Sequence, residues 1–207
     1  MVNHMIIEDD ETTMSKLGFV IGIPTEVDPA MEDTLMDDDQ YMANLIRQNI
    51  LRYVAGKLEN LCARCTIVEE ENVVTSIKNA TSDGSTMFIA LKIQIDRSVG
   101  PTNLGLHYFD EYSESAVVIN ADLKERMDET GYFKKVIVDG NPPPAKIGKD
   151  PIPMSLMIMA MGNDLLCTYN SDADSLIMKI GDAIVFAIVD NCTALLRREV
   201  CDDGANV

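Results

Sequence analysis

The chain is short of positive charge, of aromatic rings and of histidine, and each shortage closes off a class of function. Seventeen Lys and Arg stand against 34 Asp and Glu, a net charge of −17. Nucleic-acid affinity rests on basic side chains that displace counterions from phosphates, so this balance argues against direct nucleic-acid binding. Aromatic residues make up 5% of the chain and do not interleave with basic ones in the manner that stacks bases. His4 and His107 are the only histidines, and neither has metal-ligand spacing.

Long apolar runs are missing as well. Ala183 to Val189 and Leu156 to Met161 fall far short of the ~20 residues that span a bilayer. No basic segment followed by an apolar one opens the chain, which predicts a soluble, unsecreted protein with no membrane partner. Five cysteines without a secretory signal fit a reducing compartment, so the expected location is the cytoplasm or a virion. Walker, G-x-G-x-x-G, H-E-x-x-H and G-x-S-x-G motifs are all absent, and no cofactor is implied.

What is present begins with acid. Residues 1 to 40 hold eleven Asp and Glu against Lys16 alone, which reads as an acidic arm, solubilising or suited to a basic protein surface. Within it, Lys16 to Ile23 reads as a short edge or added strand ended by Pro24. Asp37, Asp38 and Asp39 offer an N-cap for a helix over Gln40 to about Cys62, whose broad apolar face holds Met42, Ile46, Ile50, Tyr53, Val54 and Leu61. Arg47, Arg52 and Lys57 fall off that face and read as solvated.

The strongest periodicity lies at the other end. Ser171 and Asp174 have capping-box spacing, Arg197 and Arg198 suit a helix C-terminus, and Leu176, Ile177, Ile180, Ile184, Ala187, Ile188 and Leu195 recur at helical spacing. A second apolar set, Val185, Phe186, Val189, Cys192 and Leu196, lies largely on the other side. That face needs its own cover, and a neighbouring subunit would supply one. Period alone leaves Ala183 to Val189 open as a buried strand, with Gly181 as a break or kink under either reading.

Between the helices, Thr66 to Lys78 and Thr86 to Ile95 read as a hairpin turned at Asp83-Gly84. The second strand alternates with period two. A strand within Ser98 to Glu114, another at Ala116 to Ile119, a short helix ended by Gly131 and a strand at Tyr132 to Val138 follow. After a stiff Pro-rich connector, Met154 to Met161 and Leu165 to Tyr169 read as a strand pair.

Three constellations suggest chemistry, and each has a plainer explanation. Cys62-Ala-Arg-Cys65 falls at a predicted helix C-terminus, the wrong end for lowering a thiol pKa, and has no second pair to complete a zinc site. His107 lies near Asp110 and Glu111, but no nucleophile motif accompanies it. Asn170-x-Asp172-x-Asp174 resembles the start of a calcium loop, yet Ser175 stands where that loop needs Gly and Gly181 where it needs Glu.

The expected fold is therefore α+β: an antiparallel or mixed sheet packed by two long helices. Residues 1–38 form the acidic arm with its short strand, and 39–207 a single domain. The expected function is non-enzymatic, without catalytic, cofactor or metal residues. It is a structural or assembly subunit joined to copies of itself or to other proteins, such as a viral or phage virion component. The alternative is an acidic regulatory or inhibitory protein that occupies a basic, nucleic-acid-binding surface of its partner. The contact residues would be Val185, Phe186, Val189 and Leu196 on the C-terminal helix and Asp37, Asp38 and Asp39 on the arm.

Overall fold

The computed structural model describes residues 13–23, 38–69, 87–95, 103–108, 114–139, 154–161 and 164–193. Its elements are β1 (Gly18–Ile23), α1 (Asp38–Asn60), β2 (Arg64–Glu69), β3 (Met87–Gln94), β4 (Asn103–Tyr108), α2 (Glu114–Thr130), β5 (Lys135–Asp139), β6 (Met154–Met161) and α3 (Asp164–Asp190). The six strands form one sheet in the order β2-β1-β3-β6-β4-β5. β2, β1, β3 and β6 run parallel, β4 is antiparallel to β6, and β5 is parallel to β4. The sheet is mixed and mostly parallel.

β1 is an interior strand rather than an edge, paired on one side with β2 and on the other with β3. All six of its residues are buried, as expected of a parallel strand covered on both faces, where the sequence reads as a continuous apolar run. Phe19, Ile21 and Ile23 point into the core beneath the helices. Val20 and Phe88, also about 1% exposed, are buried outside that cluster. With Met14 and Leu17 fully in the core, the stretch from Thr13 to Ile23 belongs to the folded domain rather than to an arm.

The hairpin expected of β2 and β3 does not form, because β1 lies between them and both run parallel to it. Two neighbours satisfy both edges of a buried strand, and that requirement overrides the local turn signal at Asp83-Gly84, which lies outside the described residues. Ala116 to Ile119 belongs to α2, and Leu165 to Tyr169 to α3; both short apolar runs are helix faces rather than strands. Gly131 ends α2 as expected, at φ 73°.

The helices form one layer in which α3 packs between α1 and α2, while α1 lies on β1, β2 and β3 and α2 on β4 and β5. This arrangement explains the two-sided apolar pattern of α3: both flanks are covered within the chain. Leu176, Ile180, Ala183, Ile184, Val185, Ala187 and Ile188 are all buried, and the reading of Ala183 to Val189 as a strand is set aside. The helix breaks at Asp172 (φ −156°, ψ 75°) and not at Gly181. Asp172 caps the longer segment by accepting a hydrogen bond from the Ser175 amide at 3.1 Å, and the Ser171 hydroxyl donates to the Thr168 carbonyl at 2.9 Å. On α1, Arg47 is buried rather than solvated, with its Nη2 donating to Asn44 at 2.9 Å.

Gly181 is where α1 and α3 approach. A Cβ there would overlap Tyr53 Cδ1 and lie 2.9 Å from Cε1. The Tyr53 hydroxyl donates to Asp182 at 2.8 Å, and Lys57 lies 3.5 Å from the same carboxylate. Gly181→Ala is expected to displace the ring and lower stability by about 1–3 kcal/mol, the usual range for overpacking. Gly56→Ala, on α1 with nothing within 4 Å of the added atom, is expected to raise stability by up to about 1 kcal/mol through helix propensity. Thermal unfolding of both variants checks the opposite signs.

Candidate functional site

In open α/β sheets, ligands bind beyond the carboxyl ends of the strands where the chain reverses its direction of travel across the sheet. Here the chain passes from β1 outward to β2 and then returns to β3 on the other side, so the switch point lies between β1 and β3. The register makes a notch at this place. Gly22 pairs with Ala90, which sets Ile23 level with Leu91, while β3 continues to Gln94 beside Met161 of β6. Three further residues carry β3 roughly 10 Å beyond the end of β1.

Two helices begin after strands that end on this side of the sheet, α1 after β1 and α3 after β6. α1 has 23 residues, about 34 Å at 1.5 Å each, against about 20 Å for β1. The C-terminal end of α1 joins β2 through Leu61 to Ala63, level with the start of β1, so from there the helix runs back toward the carboxyl ends of the strands. α3 begins directly after β6, and Asn49 of α1 holds it through a 2.8 Å hydrogen bond to the Tyr169 hydroxyl. Asp38, Asp39 and Asp164 occupy the first turns of these helices, where carboxylates are favoured by the dipole. The connection between β1 and α1 carries Glu26, Asp28, Glu32, Asp33 and Asp37 in sequence. The arrangement offers carboxylates for proton transfer and the positive ends of two helix dipoles for a developing negative charge.

The residues singled out in the sequence do not converge. Asp38 is exposed and Asp39 half-buried in the first turn of α1, whereas Asp37 lies outside the described residues. Val185 is 2% exposed and packed within the chain's own core, Phe186 is 48% exposed, Val189 is half-buried, and Leu196 lies outside the described residues. His107 takes the register position beside Met157 of β6 and Asp139 of β5, four residues back from Met161 and thus away from the notch. His4, Asp110 and Glu111 lie outside the described residues. Among the described residues no group of three His, Cys, Asp or Glu could hold a metal ion.

Cys62 belongs to a helix stop and Cys65 to β2. The Ala63 amide donates to the Leu58 carbonyl at 3.1 Å and the Cys62 amide to Glu59 at 2.9 Å, the paired bonds of a Schellman motif. Cys62 takes the left-handed position usually given to glycine, at φ 67°. Burial, with the Glu59 carboxylate adding to it, pushes the Cys65 thiol up to about 12. Asn191, just past the end of α3, donates to Asp122 and to the Ala187 carbonyl, both at 2.9 Å.

No protein-family model matches the chain, and no curated protein matches it in sequence. Solved structures do match. The amidase AmiC2 of Nostoc punctiforme superposes with a TM-score of 0.58 at 14% identity, covering 86% of this chain and 98% of its own. Ami1 from Mycobacterium smegmatis gives 0.61 at 13%, covering 86% and 97%. CwlD from Clostridioides difficile, solved in complex with the GerS lipoprotein, gives 0.59 at 15%, covering 86% and 98%. The fold is that of the N-acetylmuramoyl-L-alanine amidases.

This likeness overturns the expected non-enzymatic assembly or virion subunit, and with it the alternative of an acidic inhibitor. The chain has the architecture of a group of enzymes over nearly their whole length. Sequence reasoning missed the notch because strand order creates it. The available signal was a βαβ unit: an apolar run at Gly18 to Ile23, a long helix, then a second strand.

The cysteine chemistry is directly testable. At pH 8 the Cys65 thiol is almost wholly protonated, and only a thiolate attacks an alkylating reagent. Exposed Cys62 and Cys167 are expected to be alkylated in the native protein, and Cys65 only after unfolding. Peptide mass spectrometry after timed iodoacetamide treatment reads the order.

Proposed function

We propose that the protein is an amidase-type hydrolase that cleaves an amide bond of the N-acetylmuramoyl-L-alanine class, with its substrate seated in the notch between β1 and β3. The observation that carries this reading is the likeness to amidase structures across 97–98% of the length of the three chains named above. The strand order supports it by leaving a switch point between β1 and β3, and Asp38 and Asp39 open the helix that follows β1 in the chain. Amide hydrolysis needs an activated water, stabilisation of the tetrahedral oxyanion and a proton for the departing amine. A carboxylate at the notch would accept the proton of the attacking water and pass it to the amine. The positive end of a helix dipole would stabilise the oxyanion. A protein partner fits the same reading, as with CwlD and GerS.

The test is digestion of purified peptidoglycan by the full-length protein, with newly freed alanine α-amino groups counted by mass spectrometry. Chelator and added divalent cations form separate arms of the assay. The expected result is release of alanine-ended peptides, and a double Asp38→Asn, Asp39→Asn variant that folds normally but turns over about 100-fold more slowly. No release under any of these conditions would refute the hydrolase reading. Unchanged turnover in the variant would move the base elsewhere.

A further inference from the structure

β2 closes one side of the sheet, and among the described residues nothing pairs with its outer edge. It runs beside β1 through six consecutive register pairs without a bulge. Arg64, Thr66, Ile67 and Glu69 are exposed, and Ile67, a large apolar side chain, is 54% exposed. Natural edge strands are normally guarded by an inward lysine, a proline, a bulge or a covering segment. The interior of β2, Cys65-Thr66-Ile67-Val68, has no lysine, proline or bulge. It is instead β-branched through three successive residues, the composition that stabilises cross-strand pairs.

We propose that β2 is a self-association site, at which two copies of the chain pair antiparallel and join their sheets into one. The strand is complementary to itself in this direction. A twofold axis that relates antiparallel neighbours stands perpendicular to the sheet, so the pairing must centre on a single residue and keep each side chain facing its own kind of surface. Centring on Ile67 sets that side chain against its copy and sets Thr66 against Val68 twice, all of them β-branched pairs. The same register sets Cys65 against Glu69 twice, on the face that Ile67 shares, with Arg64 on the opposite face of the pleat. This inference does not depend on the hydrolase reading, since it concerns the flank of the sheet and not the notch.

The mass of the full-length protein, measured by sedimentation over about 1 to 100 µM, gives the first arm of the test. A dimer is expected, and Ile67→Lys, checked for folding by circular dichroism, is expected to weaken it about tenfold or more. The second arm reads register and does not depend on that variant folding. Ile67→Cys places two thiols opposite each other, within disulfide reach, whereas Thr66→Cys places each thiol opposite Val68. Mild oxidation is expected to yield a 67–67 disulfide about tenfold faster than a 66–66 one, read by peptide mass spectrometry. A monomer throughout the concentration range, equal cross-linking of the two variants, or a dimer indifferent to Ile67→Lys would each overturn the proposal.

Discussion

The structure depends on β1 having a strand on either side. Its backbone is saturated by β2 and β3 and both its faces are buried, so every other element takes its place relative to it. α1 must cross over it to reach β2, and β6 extends the sheet from β3. An unpaired amide or carbonyl in so buried a strand would cost about as much as a lost hydrogen bond. That is why the strand order is fixed here and not by the turns.

The same constraint decides what could be read from sequence. α1 and α3 were legible from period and caps, β6 from its apolar run and Gly131 from its place after a helix, because each of those signals is local. The ends were less so: at α3 the capping oxygen belongs to Asp172 and not to Ser171, since both have a polar oxygen within reach of a free amide. Ala116 to Ile119 illustrates the ambiguity of a short apolar run, which fits a buried helix face as well as a strand. The burial of Arg47 is likewise a matter of tertiary packing, which no local pattern announces.

Strand order was not legible at all. The period of β3 and the Asp83-Gly84 pair pointed to a hairpin, and a local turn signal carries no information about a strand inserted from earlier in the chain. The candidate site inherits this blindness, being a gap left where β1 stops and β3 continues. Asp38 and Asp39 were noticed as acids, yet their relation to a strand end appears only once α1 is known to follow β1. The position of Cys62 at a helix C-terminus was legible, whereas the burial that raises the Cys65 thiol was not.

The parallel order also shapes how the chain must come together during synthesis. Phe19 pairs with Met87, and Met87 in turn with Met154, so the central sheet cannot close until β6, far along the chain from β1, has emerged. Sheets dominated by such distant pairings fold slowly, and until β3 arrives the apolar β1 has an open edge. The part of the chain made first is thus the part that waits longest for its partners.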